Sequence, residues 1–166
     1  LFTPKETTTL VRTLMPASFS TAADSTDLLP SYEVYLLGAG KPADAPQHDA
    51  ARLARTRALV LPRIEQCVLP FVRRKFGCPE CVPCISLARR YKPTERTQIQ
   101  SHRDALARVT VVVELQPGDA SSPAAAAAAG GLFVKSSEAA APSFVPMRAG
   151  DAFVHDYALL HGVQLN

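Results

Sequence analysis

Two side chains with metal-binding chemistry lie two residues apart in the sequence, at His102 and Asp104. In an extended segment, residues i and i+2 point to the same face, so this imidazole and this carboxylate can be aimed at one point. Arg103 between them would point to the other side, which suits a charged residue at a strand edge. A His-x-Asp tripeptide is common by chance and does not define a site by itself.

A second imidazole, His161, lies in the apolar segment 159–165 (LLHGVQL). Two histidines and one carboxylate form the ligand set of non-haem Fe(II) oxygenases, which leaves positions open for a co-substrate and dioxygen. Taken singly, His102 is better explained as a surface residue and His161 as a hydrogen-bonded core histidine. The order and strand context of the set favour a metal. His155, near a turn, is predicted not to be a ligand.

The N-terminal part of the chain, residues 1–46, is predicted to form an arm and one strand. Residues 1–30 are rich in Thr, Ser, Pro and Ala and predict an irregular arm, with a strand near 10–14. Segment 31–37 (SYEVYLL) alternates polar and apolar residues, as a strand does. Segment 38–46 carries Gly, Pro and Asp and predicts a loop.

Residues 47–77 are predicted to form a helical buttress, because apolar residues between 53 and 72 recur at nearly helical spacing. Pro62 removes an amide donor and predicts either a kink or two consecutive helices. Gly77 is placed to end the helical part.

Beyond residue 84 the pattern changes to short strands, and residues 117–130 are predicted to be a flexible, alanine-rich insertion between two of them. Short strands after a helical segment predict a mainly β fold with a jelly-roll core over 85–166. The predicted strands are 85–91, 97–101, 109–115 (a β-branched run typical of a buried strand), 132–135, 143–146, 152–155 and 160–165.

Length and composition limit the classes of protein to which this chain can belong. The 166 residues fit a single domain, 1–166, and charged or Pro residues interrupt every apolar stretch before it could span a bilayer. No signal peptide is visible, but the chain begins with Leu, so we expect a fragment, and its cellular location stays open.

Charge is unevenly distributed. Segment 52–108 holds 13 Lys and Arg against 4 acidic residues, and the rest of the chain holds 5 against 11. This favours a solvated helix face with basic strand ends over a patch for an anionic partner. A nucleic-acid partner is disfavoured, because the chain lacks Trp and an RNA-binding aromatic signature.

Three of the four cysteines, Cys78, Cys81 and Cys84, have the spacing of half a zinc knuckle. A second pair with this spacing is missing from the sequence, and structural zinc takes four ligands. We therefore predict a disulfide or free thiols here and no bound zinc. Cys67 stands apart.

Taken together, these motifs resemble the 2-oxoglutarate and Fe(II)-dependent dioxygenases, in the prolyl-4-hydroxylase-like branch. The resemblance covers residues 85–166, and its parts follow the family's order. They are 90–93 (RYKP), His102-Arg103-Asp104, 108–115 (RVTVVVEL), 130–133 (GGLF), 146–152 (PMRAGDA) and 161–163 (HGV).

The resemblance implies a double-stranded β-helix in which His102, Asp104 and His161 bind Fe(II) and are the catalytic residues. It further implies that Tyr91 and Thr110 contact the co-substrate 2-oxoglutarate, with ascorbate as an accessory cofactor. The implied reaction hydroxylates a C–H bond while 2-oxoglutarate is decarboxylated to succinate. A peptidyl residue such as proline is the favoured substrate; a small molecule or a nucleic-acid base is an alternative.

One feature of the family has no match. The family anchors the distal carboxylate of 2-oxoglutarate with Arg or Lys some nine or ten residues after the distal histidine, whereas this sequence ends five residues after His161. We expect a further strand in the native protein, with Arg108 and Arg148 as substitutes only if that strand is lacking. Two other hypotheses remain: a non-catalytic jelly-roll binding module of the same ancestry, and a structural β-sandwich in which the cysteines bind zinc.

Overall fold

The computed structural model of the chain describes residues 1–115 and 128–165. Helices occupy the N-terminal part, and antiparallel strands in several sheets occupy the rest, so the predicted mainly β class with an N-terminal helical segment is confirmed. The predicted insertion at 117–130 lies outside the described residues except for its last three. Within the described ranges, no helix combines the length and apolarity that crossing a bilayer requires.

The N-terminal arm begins with a helix, α1 (Pro4–Leu14), so the predicted irregular segment with a strand near residues 10–14 is wrong. The helix starts because Thr3 and Glu6 cap it reciprocally and Pro4 occupies its first turn. Its buried face repeats at helical spacing through Thr7, Leu10 and Leu14.

The predicted strand and helical buttress are both present. Strand β1 (Glu33–Gly38) is followed by a short β2 (Lys41–Pro42) and by α2 (Gln47–Arg63). One π-helical turn (Ile64–Val68) then separates α2 from α3 (Leu69–Lys75). Helix α2 thus continues through Pro62, and two consecutive helices, one of the two predicted alternatives, meet at the π-helical turn that follows. Gly77 ends the helical part with a left-handed φ of 59°.

Within the described ranges seven further strands follow, and together with β1 and β2 they pair antiparallel in three sheets. The sheets have the orders β2-β1-β3, β4-β9-β6-β7 and β5-β8. The strands are β3 (Ser86–Arg89), β4 (Gln98–His102), β5 (Val109–Val113), β6 (Gly130–Lys135), β7 (Ser143–Phe144), β8 (Ala152–Asp156) and β9 (Leu160–Leu165).

Strand β5 departs from its prediction in one respect. The β-branched run at Val109–Val113 predicts a buried strand, yet every residue of it is half-buried. The physical reason is its pairing: in the described part of the chain β5 pairs with β8 alone, in a two-stranded sheet.

The core has one cluster where α1 and α2 pack on β1, formed by Leu14, Ala17, Val34, Leu36 and Leu53. A second buried set, Ile99, Leu132, Phe133 and Leu160, lies in the sheet that holds β4, β6 and β9. Cys78 and Cys81 form a disulfide, one of the two predicted states, while Cys67 and Cys84 are free and exposed.

Candidate metal centre

The two histidines predicted as ligands are cross-strand neighbours. His102 ends β4 and lies opposite His161 of β9 in the antiparallel register, after a register shift that follows Ile99. Residues that pair directly across two antiparallel strands point to the same face. Their imidazole rings accordingly lie 4.6 Å apart, centroid to centroid.

Asp104 enters the site from the loop between β4 and β5. Its Oδ1 lies 3.6 Å from Nε2 of His102 and its Oδ2 lies 3.7 Å from Nε2 of His161. The Thr110 hydroxyl donates a hydrogen bond to Oδ2 and so fixes the carboxylate. The structure therefore brings the three predicted ligands together, with one donor atom of each within 4.8 Å of the others.

Both imidazoles present the nitrogen that a metal needs. Nδ1 of His102 donates to the carbonyl of Gln100 at 2.9 Å, and Nδ1 of His161 donates to that of Leu159 at 3.1 Å. A carbonyl only accepts, so in the neutral rings the Nε2 lone pairs face Asp104. Burial lowers the pKa of His161, which favours the neutral, ligating form.

The residue after His161 has to be a glycine. A Cβ at Gly162 would lie 2.5 Å from Cζ of Phe133 and 2.7 Å from the carbonyl oxygen of Ile99. The His-Gly pair in the sequence thus reflects the close approach of β4, β6 and β9, which sets the position of His161, a predicted ligand.

A third imidazole, His155, also faces Asp104, and the prediction that it is not a ligand stays a prediction. It is 5% exposed, and its Nε2 lies 3.9 Å from Oδ2 of Asp104. Its ring centroid is 4.3 Å from that of His161. The available signal was strand register: His155 pairs with Thr110, which was already a candidate.

The other predicted site residues are placed differently. Thr110 contacts Asp104, as described above, whereas Tyr91 hydrogen-bonds with Arg89 and lies near the charges of Arg96 and Asp24. Burial is the main cause of the raised pKa of Tyr91. The predicted contacts of Tyr91 and Thr110 with a co-substrate stay predictions.

Arg108 and Arg148 were named as possible substitutes for the basic anchor. Their described contacts do not direct either side chain toward the triad. The Arg108 guanidinium lies 3.3 Å from Glu80 and donates to the carbonyls of Phe76 and Gly77. Arg148 is exposed in the turn before β8.

An open depression of about 550 Å³ adjoins the site, lined by residues 105–108 and Tyr157. In the sequence, the first of these lining residues directly follows Asp104, and Tyr157 lies two positions after His155. Leu106 is 89% exposed and Tyr157 59% exposed, so apolar surface faces solvent at this edge.

Searches against protein-family models, curated proteins and solved structures find no match to this chain. What can be said of its chemistry therefore rests on the geometry of the site and its surroundings.

Proposed function

We propose that this chain is a 2-oxoglutarate and Fe(II)-dependent dioxygenase domain that hydroxylates a C–H bond of a peptidyl residue such as proline. The observation that carries the proposal is the convergence of His102, Asp104 and His161, with both Nε2 lone pairs turned toward one carboxylate. Without a cation between them, the two Nε2 lone pairs and the Asp104 carboxylate would face one another as hydrogen-bond acceptors, with no donor among the three.

The donor set fits a divalent first-row metal. Two neutral imidazoles and one carboxylate supply a single negative charge and suit iron, and three protein ligands leave three octahedral positions open. Bound iron would supply the activation of dioxygen that is coupled to decarboxylation of 2-oxoglutarate to succinate. The protein's own task is to fix the ligands: carbonyls orient the two rings, and Thr110 orients Asp104.

The sheet arrangement supports a jelly-roll core for this domain. Along the chain, the strands change sheet between β4 and β5, β5 and β6, β7 and β8, and β8 and β9. Two antiparallel sheets that exchange strands in this way are the pattern of a double-stranded β-helix. His102 and His161 come from one of these sheets and Thr110 from the other, so the site lies where both contribute.

The surface beside the site supports an extended peptide as substrate. The depression lined by 105–108 and Tyr157 is open, and its exposed Leu106 and Tyr157 offer apolar contacts next to Asp104. A shallow, partly apolar rim of this kind suits one side chain of a longer chain better than an enclosed small molecule.

The alternative is a non-catalytic binding module of the same ancestry. The contacts of Arg108 favour it, because this guanidinium is engaged by Glu80 and by two carbonyls rather than offered to a dicarboxylate. Such a module would need no co-substrate, so iron-dependent turnover of 2-oxoglutarate distinguishes the two functions.

The test compares the wild-type chain with Asp104→Ala and with Glu80→Ala, which removes an exposed carboxylate that is 68% accessible. After anaerobic loading with Fe(II), the wild type and Glu80→Ala should retain one equivalent of iron. Asp104→Ala should lose at least about tenfold in affinity, because it deletes a ligand. Equal iron retention in all three proteins would contradict the metal centre.

Succinate release from 2-oxoglutarate, measured with proline-containing peptides, then tests the activity. Release that needs iron and is lost in Asp104→Ala would support the oxygenase. Stoichiometric iron without succinate release under any of these conditions would support the binding module.

A further inference from the structure

We propose that Arg108 is a specificity-determining residue, which selects peptides that carry an acidic side chain, Asp or Glu, a few residues from the one that enters the metal centre. The inference rests on the proposed function for its choice of a peptide as substrate, and it adds the chemical class of that peptide.

Arg108 lies at the edge of the metal centre. It lines the open depression of about 550 Å³, and its carbonyl accepts a hydrogen bond from the backbone N–H of Tyr157, another lining residue, at 3.3 Å. Arg108 also precedes Thr110, whose hydroxyl holds Asp104, by two residues, or about 7 Å of extended backbone. A carboxylate bound at Arg108 would therefore lie only a few peptide residues from a side chain that reaches Asp104.

The guanidinium of Arg108 is accessible from solvent. Its side chain is 56% exposed, and the ion pair that it forms with Glu80 at 3.3 Å is exposed as well. The carbonyls of Phe76 and Gly77 lie at 3.4 Å and 3.5 Å, which is long for a hydrogen bond. Exposed ion pairs contribute little stability, so the carboxylate of a bound peptide can replace that of Glu80. A guanidinium suits this task, because its planar fork of N–H donors binds a carboxylate at two points.

The charges around Arg108 favour an anionic partner. Its carbonyl contacts place the guanidinium just beyond α3, whose last three residues, 73–75 (RRK), are all exposed and basic. Two acidic side chains lie nearby: Glu80 pairs with Arg108, and the Asp156 carboxylate accepts from the backbone N–H of Ala158 at 3.0 Å. Among these groups the basic ones exceed the acidic ones, which gives this edge a positive potential.

The rest of the lining favours a peptide over a nucleic acid as the anionic partner. Leu106 is 89% exposed and Tyr157 is 59% exposed, so the depression offers apolar contacts beside the charge. Proteins that bind single-stranded nucleic acids stack successive bases on aromatic rings, whereas Tyr157 is the single aromatic ring among the five lining residues. A peptide with acidic and apolar side chains fits both the charge and the apolar surface.

The test measures the binding of two fluorescent peptides to the whole chain by anisotropy. The peptides share one sequence with a central proline and differ only in the residues that flank it, which are Glu in the first peptide and Gln in the second. We expect the wild type to bind the Glu peptide at least about fivefold more tightly at low salt. This preference should disappear at about 1 M salt, where the Debye length is about 3 Å.

Variants on both sides of the ion pair make the test specific. Arg108→Gln should remove the preference, and Arg108→Lys should keep part of it, because an ammonium group retains the charge and loses the fork. Glu80→Gln removes the competing carboxylate and should raise the affinity for the Glu peptide about twofold to fivefold. A purely structural role of the ion pair would shift both variants in the same direction. Arg12→Gln, at an exposed position of α1, should leave both affinities unchanged.

The outcomes separate this inference from the proposed function. Failure of both peptides to bind, equal affinities, or a preference that survives Arg108→Gln would overturn the role of Arg108, while iron retention and succinate release still decide the oxygenase. Tighter binding of a single-stranded RNA than of the Glu peptide would overturn the peptide as partner. A preference that depends on Arg108, in a chain that retains no iron, would support this inference and contradict the oxygenase.

Discussion

Thr110 positions Asp104, a proposed metal ligand, and is predicted to tune metal affinity without touching the ion. Its hydroxyl donates to Oδ2 of Asp104, and partners of this kind hold a ligating carboxylate in place. Thr110→Val keeps the shape and removes the donor, so we expect Mn(II) affinity to fall about tenfold. Thr110→Ser keeps a hydroxyl and serves as the matched control.

Calorimetric titration with Mn(II) measures this effect. Unchanged affinity in Thr110→Val would mean that other contacts orient Asp104. A loss of the same size in Thr110→Ser would point to packing of the threonine methyl group instead.

The triad could be found from the sequence because each of its residues lies in a recognisable local motif. His102 and Asp104 share a face by their spacing, and His161 has its glycine beside it. That His155 lies beside Asp104 could not be predicted, because this contact depends on cross-strand register with Thr110, and a sequence pattern does not give register. The co-substrate contact of Tyr91 was assigned from a motif and stays a prediction; in the structure, Tyr91 interacts with Arg89.

Among the elements, β9 is held against its neighbours so closely that Gly162 is predicted to tolerate no side chain. A methyl group there would meet Phe133 and the backbone of Ile99, at 2.5 Å and 2.7 Å. Backbone cannot give way as a flexible side chain does, so Gly162→Ala should cost about 1–3 kcal/mol of unfolding free energy. It should also displace His161 and weaken Mn(II) binding.

The matched control is Gly38→Ala at the end of β1, where an added Cβ meets nothing within 4 Å. Urea unfolding of both variants gives the comparison. Equal stability of the two would show that β4, β6 and β9 separate at little cost.

The capping of α1 is predicted to make stability depend on acid. The hydrogen bond from the Thr3 backbone, followed by the bond from Arg63, lowers the pKa of Glu6 from 4.5 to about 2. A lowered carboxyl pKa stabilises the fold above the unfolded-state value, and this contribution is lost as pH falls through the folded value. Glu6→Gln should therefore be less stable than the wild type at pH 7, and the difference should shrink between about pH 4.5 and 2.

Unfolding midpoints at several pH values measure this difference, with Glu65→Gln in the exposed π-helical turn as the control. A difference that persists unchanged down to pH 2 would exclude the carboxylate as its source.

The same capping box explains why α1 was mispredicted. A composition rich in Thr and Ser predicts an irregular arm, yet Thr3 is a helix cap, and the threonines at 7, 8, 9 and 13 donate hydrogen bonds to carbonyls within the helix. Helix α2 was predictable because its apolar period was long enough to outweigh Pro62. The composition of residues 1–30 therefore gave a wrong prediction, because the helix-start signal at Thr3 and Glu6 determines the structure there.

At the scale of the whole molecule, the uneven charge along the chain becomes a set of internal ion pairs. The sequence favoured a solvated basic face, and Arg73 and Arg74 at the end of α3 are exposed in that way. Arg89 and Arg96 are instead turned inward, onto the acidic residues Asp24, Asp27 and Glu33 of the N-terminal part. Which basic residue pairs with which acidic residue depends on tertiary contacts. The net charge of a segment therefore could not distinguish solvent-exposed basic residues from those in internal ion pairs.

Arg96 lies at the centre of this network and connects residues 24–30 of the N-terminal arm to the start of β4. It is 4% exposed, and it reaches Asp27 at 2.6 Å, Asp24 at 3.4 Å and the carbonyl of Pro30 at 3.2 Å. Its Nε also donates to the carbonyl of Gln98 at the start of β4, the strand that ends at His102. One guanidinium thus links residues 24–30 to the strand that carries a candidate ligand.

Arg96→Met is predicted to be the most destabilising of these substitutions. It fills a similar volume but leaves the buried Asp27 carboxylate without the cation that pairs with it and leaves Asp24 with Arg89 alone. Breaking a buried pair from one side costs about 3–5 kcal/mol. Arg96→Lys should fall in between, because an ammonium group keeps the charge and loses the planar fork that serves several acceptors at once. Arg12→Met, at an exposed position of α1, should change the unfolding free energy by less than about 0.5 kcal/mol. Urea unfolding followed by circular dichroism gives the three values, and an Arg96→Met chain as stable as Arg12→Met would mean that the arm is held by its apolar contacts and not by this network.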